Sequence, residues 1–206
     1  MIKTFDLDAV AWDKSDGLVP AVVQDIHSLR VLMLGYMNRE ALQATLTSGL
    51  VTFFSRSKKR LWQKGETSGH VLKLRSIQLD CDQDTLLVMA EPQGPTCHNG
   101  TVTCWGDDEV PSVAVLADLA ATIKKRRVQP EAGSYTAKLF DSGLARIAQK
   151  VGEEGVETAL AGATQAPNLK DEAADLLYHL LVLLEASGAS LDDVLGVLYE
   201  RSRSKK

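Results

Sequence analysis

The sequence has no long apolar run, and this excludes a membrane-spanning helix. No stretch reaches the roughly 18 consecutive apolar residues that a bilayer requires. The N-terminal residues carry acids at Asp6, Asp8 and Asp13 and contain no continuous apolar core, so they do not match a secretory signal peptide. We therefore expect a cytoplasmic protein with no membrane partner.

Positive charge and cysteine are also scarce. The chain has 23 basic and 27 acidic residues and a formal net charge of −4, which argues against a nucleic-acid partner held through its phosphates. Its three cysteines cannot all pair within one chain, and a reducing cytosol disfavours disulfides. Because 45% of the residues are hydrophobic, ordinary globular cores are expected instead.

The first half of the chain has the residue pattern of β-structure. Its apolar segments are rich in β-branched and aromatic residues or alternate with polar ones, and polar breaks separate them. Between two of these segments, Asn38 can cap a short helix over 39–46. The predicted strands are 18–25, 30–37, 51–57, 70–80 and 85–92, and the last two form a hairpin with an acidic turn.

Helical periodicity replaces this pattern from Pro111 onward. Apolar residues recur three and four positions apart, which predicts helices over 113–126, 143–163 and 169–186. Asn168 and Ser190 stand at predicted N-caps, with Asp171 and Asp193 respectively three residues on, as in a capping box. The fold class is therefore α+β, with a β-rich N-terminal domain over residues 1–110 and an all-α domain over 111–206.

Three carboxylates stand at alternate positions of the predicted acidic turn. Alternation along a strand entering a turn would place Asp80, Asp82 and Asp84 on one side and Cys81 on the other. Three such carboxylates can hold a hard cation such as Mg²⁺. A solvated acidic turn is the plainer interpretation.

All the cysteines lie near this turn and near His98. Thiolates of Cys81, Cys97 and Cys104 can hold Zn²⁺ and leave a fourth position open for water, as catalytic zinc requires. Three unrelated buried cysteines are the alternative.

Residues 55–69 mix cations, hydroxyls and glycines. Segments of this composition can cradle a phosphate through backbone N–H groups, hydroxyls and an arginine fork, although an ordinary hairpin loop has the same composition. The candidate substrate-binding residues are Ser55, Arg56, Ser57, Trp62, Lys64, Gly65, Glu66, Ser68 and Gly69.

Taken together, these motifs resemble the phosphoribosyl-AMP cyclohydrolase family. The matching segments are MNREAL (37–42), FSRSKKRLWQKGETSGH (54–70), DCDQD (80–84) and GPTCHNGTVTCW (94–105). The resemblance implies zinc at the three cysteines and magnesium at the three aspartates. It further implies a homodimer in which Cys81 and the Cys97/Cys104 pair come from different subunits. Asn99 departs from the family, which usually has threonine there.

The reaction implied by this resemblance opens the adenine ring of phosphoribosyl-AMP between N1 and C6. Zinc lowers the pKa of bound water toward ~7, and hydroxide then adds to C6 as it does in purine deaminases. His98 is adjacent to a predicted ligand, and its ordinary pKa suits a catalytic proton shuttle. A structural histidine bonded to a backbone carbonyl is the alternative.

Acidic residues also cluster on two predicted helices. Glu153, Glu154 and Glu157 lie within little more than one turn, and Glu172 and Asp175 are three apart on the next helix. Packed against each other, the helices can aim four carboxylates at one place, as carboxylate metal sites in helix bundles do. Two solvated acidic faces are the alternative, although crowded carboxylates of this kind usually need cations.

The order EExxE followed by ExxD resembles the MazG-like all-α nucleoside triphosphate pyrophosphohydrolases. Residues 134–161 and 169–184 are similar to their phosphoribosyl-ATP pyrophosphohydrolase branch, and the resemblance extends over about 112–203. It implies magnesium at Glu154, Glu157, Glu172 and Asp175 and a water-orienting or basic Glu153. Lys138 and Lys150 are candidate phosphate contacts. The product, phosphoribosyl-AMP, would be the substrate of the first domain.

Two other functions remain open on the residues alone. One is a broad nucleotide pyrophosphatase behind a structural zinc module, with His98 as the fourth zinc ligand. The other is a zinc-dependent dimerisation module with a helical interaction tail, which is not an enzyme. Neither would open the purine ring of phosphoribosyl-AMP.

Overall fold

The computed structural model describes residues 5–107 and 112–204, which belong to two compact units, Met1–Ala114 and Val115–Lys206. The predicted boundary between residues 110 and 111 lies outside the described residues. Within the described ranges, no helix combines the length and the apolar content needed to cross a bilayer.

The first unit is built on a four-stranded sheet. In chain order its elements are β1 (Val19–Asp25), β2 (Val31–Met37), α1 (Arg39–Ser48), β3 (Thr52–Ser55), β4 (Arg60–Gln63), β5 (Leu72–Leu79) and β6 (Leu86–Pro92). The sheet order is β2-β1-β6-β5, and β3 pairs with β4 in a separate two-stranded sheet. The β1–β6 pair is parallel and its neighbours are antiparallel.

Alternation of side chains explains why these strands bury one face. In β1 the side chains of Val19, Ala21 and Val23 have no exposed surface, while those between them are partly exposed. The hairpin expected over 70–92 is confirmed, because β5 and β6 pair from Leu72 opposite Pro92 to Leu79 opposite Leu86. The acidic turn therefore lies at one end of a paired hairpin.

One strand was not predicted. The expected strand over 51–57 is shorter, because the chain turns after Ser55, with Lys59 in the left-handed region at φ 52°, and returns as β4. Residues 60–63 carry no alternating pattern, so their strand depends on pairing with β3 and on the Trp62 ring, which stacks on Phe53 at 5.7 Å between centroids.

Gly35 makes room for the largest fully buried side chain of this core. A methyl group added at Gly35 would overlap the ring of Phe53, which is 1% exposed. The φ angle of Gly35 is not positive, so its role is to allow close packing of β2 on Phe53 and not to relieve backbone strain.

We predict that Gly35→Ala destabilises the first unit by about 1–3 kcal/mol, because the added methyl overpacks the core. All tryptophans (Trp12, Trp62 and Trp105) lie in that unit, so tryptophan fluorescence during urea denaturation follows it selectively. If overlap with the Phe53 ring causes the loss of stability, Gly35→Ala destabilises the unit less in a Phe53→Leu background than in the wild type. An equal cost in both backgrounds would contradict this explanation.

The second unit consists of helices. They are α2 (Ala114–Val128), α3 (Tyr135–Asp141), α4 (Leu144–Thr164), α5 (Leu169–Ala186) and α6 (Leu191–Arg203). The three predicted helices are confirmed, and the α+β class is therefore confirmed for the chain. The core of this unit is formed by Ile123, Leu139, Ile147, Leu181 and Val182, contributed by α2, α3, α4 and α5.

The two predicted N-caps have different outcomes. Ser190 and Asp193 form the expected capping box. Asn168 occupies the N-cap position of α5, but its side chain makes no cap hydrogen bond, so the predicted box with Asp171 is wrong. The backbone of Asn168 lies at φ −85° and ψ 7°, outside the extended conformation of a capping residue, and its side-chain amide donates to Glu172 Oε1 at 2.8 Å.

Candidate active sites

The three aspartates of the acidic turn converge. Carboxylate oxygens of Asp80, Asp82 and Asp84 lie within 4.8 Å of one another. The predicted cause, strand alternation, is wrong: these residues follow the end of β5, and Gln83 adopts φ 67° in the turn. The reversal of the chain, and not the pleat, brings the carboxylates together.

Backbone N–H groups hold the first of these carboxylates. Asp80 Oδ1 accepts hydrogen bonds from the N–H of Asp84 at 3.0 Å and of Thr85 at 3.1 Å. Although desolvation opposes the shift, these donors lower the pKa of Asp80 below its ordinary value. The carboxylate is therefore fixed in its charged form, as an ion ligand requires.

A lysine that no motif indicated meets the same turn. Lys14 Nζ lies 2.9 Å from Asp82 Oδ2 and 3.6 Å from Asp84 Oδ2. The hydrogen bond to Asp82 raises the pKa of Lys14 above its ordinary value. Sequence reasoning missed Lys14 because it precedes the turn by a long stretch of chain.

Two of the three cysteines lie side by side. Hydrogen bonding between Cys97 and Cys104 contributes to the pKa of both thiols. The pKa of Cys97 is lowered, chiefly because the N–H of Asn99 donates to the sulfur, whereas partial burial raises that of Cys104. Cys81 is exposed on the acidic turn and forms no three-ligand group with them in the described part of the chain.

Lys64 and His98 border the thiol pair. Lys64 is buried, and its Nζ donates to the carbonyl of His70 at 3.0 Å. Burial lowers the pKa of Lys64, and the two thiols act in the opposite direction. His98 is exposed, with Nδ1 3.8 Å from Cys97 Sγ.

Thr96 is a polar neighbour that the sequence reasoning missed. It directly precedes Cys97 and is 3% exposed, and its hydroxyl has no hydrogen-bond partner among the described residues. A buried hydroxyl without a partner carries a desolvation cost, so this position next to Cys97 is energetically unfavourable.

The candidate phosphate segment is a structured hairpin and turn. The Arg56 guanidinium lies over the Tyr36 ring at 3.8 Å from its centroid, and Glu66 pairs with Arg60 at 2.5 Å. At Gly65, with φ 84°, a Cβ would lie 2.5 Å from the carbonyl carbon of His70. Only glycine therefore allows this close turn beside Lys64.

The remaining residues of the segment lie along its surface. Ser55 Oγ accepts from the N–H of Lys58 at 3.2 Å and lies 3.5 Å from Ser57 Oγ. Ser68 Oγ accepts from the N–H of His70 at 3.3 Å, and Gly69 has φ 76°. Phosphate binding by this segment stays a prediction.

In the second unit, three glutamates of α4 and α5 converge. Oxygens of Glu154, Glu157 and Glu172 lie within 4.8 Å of one another, and Glu154 is 5% exposed. Desolvation and the neighbouring charges of Glu154 and Glu172 raise the pKa of Glu157. The fourth predicted ligand, Asp175, is exposed and does not belong to this group.

Lys150 lies between the cluster and Glu153. Its Nζ is 2.6 Å from Glu154 Oε1 and 2.9 Å from Glu153 Oε2, and these contacts raise the pKa of Lys150. Glu153 also accepts from Gln149 at 2.8 Å and pairs with Arg146 at 3.2 Å, outside the group of three. The other predicted phosphate contact, Lys138, is exposed on α3.

A buried histidine behind Glu154 was also missed. His179 Nδ1 donates to the Asp175 carbonyl at 2.9 Å and lies 3.6 Å from Glu154 Oε1. Its Nε2 lies 3.1 Å from the Tyr135 hydroxyl, so the imidazole connects α3 and α5 next to the acid on α4. A lone histidine in the apolar string LLYHLLVLL was the signal that could have identified it.

Both halves of the chain match known families. Residues 33–106 match the family model of phosphoribosyl-AMP cyclohydrolase, and residues 116–202 match that of phosphoribosyl-ATP pyrophosphohydrolase. The histidine biosynthesis bifunctional protein HisIE of Vibrio cholerae is 58% identical over 199 residues, which cover 95% of each chain. The chain belongs to the HisIE family.

Two further HisIE proteins agree with this assignment. That of Xanthomonas campestris is 58% identical over 198 residues, with 96% of this chain and 95% of the relative covered. The HisIE protein of Shewanella oneidensis is 57% identical over 197 residues, with 95% of this chain and 92% of the relative covered.

The chain is therefore a bifunctional hydrolase of histidine biosynthesis. One activity removes pyrophosphate from phosphoribosyl-ATP, and the other opens the adenine ring of the phosphoribosyl-AMP so formed. The unit that acts second in this sequence of reactions comes first in the chain. Its substrates are small phosphoribosyl nucleotides, which excludes the non-enzymatic alternative.

We predict that Cys97 is alkylated faster than Cys104 in protein stripped of metal. A lowered pKa increases the thiolate fraction at a given pH, and the thiolate is the nucleophile. Iodoacetamide labelling between about pH 7 and pH 9, followed by peptide mass spectrometry, measures both rates. The difference between the alkylation rates of the two cysteines should disappear in denaturant. Faster labelling of Cys104 in the folded protein would contradict the assignment.

Proposed function

We propose that ring opening takes place at a zinc site made by two subunits. Cys97 and Cys104 of one subunit supply two thiolates, and Cys81 of the partner subunit supplies the third. The single supporting observation is that Cys97 and Cys104 are adjacent while Cys81 of the same chain is not with them. Thiolates suit zinc, and three of them leave one position open.

The residues around the thiols have roles in this proposal. Bound zinc supplies water activation near neutral pH. Water adds to C6, the N1–C6 bond breaks, and N1 gains the proton. His98, exposed beside Cys97, carries that proton. Buried Lys64 offsets the negative charge of the thiolates.

The acidic turn binds Mg²⁺ in this proposal, and residues 55–69 bind the substrate. Asp80, Asp82 and Asp84 offer the oxygen ligands that magnesium prefers, already within 4.8 Å of one another. In the hairpin segment, the Arg56 guanidinium and the hydroxyls of Ser55 and Ser57 are exposed or partly exposed and suit a phosphate.

Pyrophosphate release takes place at the glutamate cluster of α4 and α5. The cluster fits Mg²⁺ because its oxygens converge, and desolvation together with the charges of Glu154 and Glu172 already raises the pKa of Glu157. We assign Glu154, Glu157 and Glu172 as ligands, with Asp175 joining them when the metal binds. Glu153 orients the attacking water, and Lys150 and Lys138 contact the triphosphate, whose charge must be offset during in-line attack.

The location follows from the substrates in this proposal. Both are multiply charged phosphorylated nucleotides, which do not cross a bilayer unaided. We therefore place the enzyme in the cytosol, where such nucleotides are made.

We predict that Glu154→Gln reduces pyrophosphate release at least about a hundredfold while ring opening of supplied phosphoribosyl-AMP is retained. The variant removes one anionic oxygen from the cluster, and loss of a ligand weakens metal binding. Release of pyrophosphate and the ultraviolet change of ring opening measure the two activities separately. Glu200→Gln, an exposed change on α6, is the matched control and should retain both activities. Wild-type pyrophosphate release by Glu154→Gln would contradict the proposal.

We predict that Cys81→Ser and Cys97→Ser are each inactive in ring opening and recover about a quarter of wild-type activity when their subunits exchange. Half the dimers are then mixed, and one of the two sites in each has every thiolate. Pyrophosphate release should persist throughout, which shows that the variants fold. Subunit exchange is verified with differently tagged chains. Proven exchange without recovery would place all three ligands on a single chain.

A further inference from the structure

The ammonium of Lys14 contacts two of the three carboxylates that are proposed to hold the metal. Lys14 Nζ donates to the carbonyl oxygen of Asp82 at 2.7 Å and to Asp82 Oδ2 at 2.9 Å, and it lies 3.6 Å from Asp84 Oδ2. Two of these oxygens belong to the carboxylates that we assign to Mg²⁺. A cation of the chain itself therefore already contacts two of the three ligands.

The backbone delivers this lysine to the turn. The N–H of Ala11 donates to the carbonyl of Gln83 at 2.8 Å, so residues 11–14 are docked on residues 82–84 by more than the side chain. Trp12 packs against the core of the first unit, and its indole N–H donates to the Leu7 carbonyl at 3.0 Å. The short 3-10 helix Trp12–Ser15 holds Lys14 at a fixed position.

Lys14 also lies outside the segment that defines the cyclohydrolase family. That match begins at residue 33, so a preceding segment supplies this cation to the turn. The contact joins residues 68 positions apart. The acidic triplet and the lysine are therefore separate parts of the chain that meet only in the folded unit.

An ammonium and a divalent cation that share carboxylate oxygens repel each other. Magnesium requires its ligand oxygens at about 2.1 Å in near-octahedral geometry, and a positive charge hydrogen-bonded to those oxygens opposes its approach. Binding of Mg²⁺ therefore favours movement of Lys14 Nζ away from Asp82 and Asp84. Both partners are substantially exposed, at 46% and 58%, so displacement is feasible without unfolding the turn.

We propose that Lys14 is an internal competitor that sets the affinity of the acidic turn for its divalent cation. This inference rests on the proposed magnesium site. In the absence of metal the ammonium neutralises part of the turn and keeps the carboxylates together. When Mg²⁺ binds, the lysine withdraws, so the measured affinity is lower than the carboxylates alone would give.

The test is a site-specific titration of the full-length, zinc-loaded protein with Mg²⁺. Backbone amide shifts of Gln83 and Asp84 report on the turn, independently of the glutamate cluster in the other unit and of catalysis. We expect Lys14→Gln to lower the Kd for Mg²⁺ about two- to five-fold, because the loss of an exposed ion pair has an effect of this size. Lys14→Arg, which retains the cation, should stay close to the wild type.

Lys73→Gln is the matched control, because it removes one exposed lysine of the same unit, on β5 and outside both proposed binding sites. Its Kd for Mg²⁺ should equal that of the wild type. An unchanged or larger Kd in Lys14→Gln, or an equal decrease in Lys73→Gln, would overturn the competition while leaving the magnesium site in place. If Mg²⁺ does not shift the turn amides in any variant, the proposed metal site and this inference both fail.

Discussion

Each unit contains a group of crowded carboxylates whose mutual repulsion is reduced by a neighbouring cation. At the acidic turn and at the glutamate cluster, three acids bring their oxygens within 4.8 Å of one another. Desolvation and the like charges of Glu154 and Glu172 both disfavour ionisation of Glu157 and raise its pKa. In each place a lysine ammonium lies within 3 Å of a carboxylate oxygen, from Lys14 in one and Lys150 in the other.

The two units meet this requirement with different scaffolds. In the first unit, a hairpin turn gathers the acids, and two backbone N–H groups hold Asp80. The turn is largely exposed, and solvent screening limits the cost of concentrating negative charge there. In the second, α4 and α5 present the acids from regular helices, and Glu154 is buried. Lys150 pairs with Glu154 at 2.6 Å, and His179, which contacts Tyr135, lies 3.6 Å from Glu154 Oε1. A buried carboxylate without a partner is costly.

Ligand softness separates the proposed metals within one chain. Thiolates select zinc, whereas carboxylate oxygens suit magnesium. Cys81 lies between Asp80 and Asp82 in the sequence and is exposed, and among the described residues it forms no three-ligand group with Cys97 and Cys104. On the proposed assignment, one turn then serves two sites, with carboxylates for its own subunit and a thiolate for the partner.

The local sequence pattern determined much of the secondary structure of this protein. Side-chain period and turn chemistry indicated the β5–β6 hairpin, the long helices and the capping box at Ser190, because these depend on neighbours a few residues away. The motifs likewise indicated both acidic clusters and both activities.

Tertiary packing alone decided the contacts between remote residues. No sequence pattern joins Lys14 to Asp82, which are 68 positions apart, or Tyr135 to His179, which are 44 apart. Strand β4 exists because Trp62 stacks on Phe53, and Cys81 stands away from the other cysteines because the hairpin ends there. Such contacts depend on how whole elements pack, and a residue's own periodicity carries no information about which distant side chain will face it.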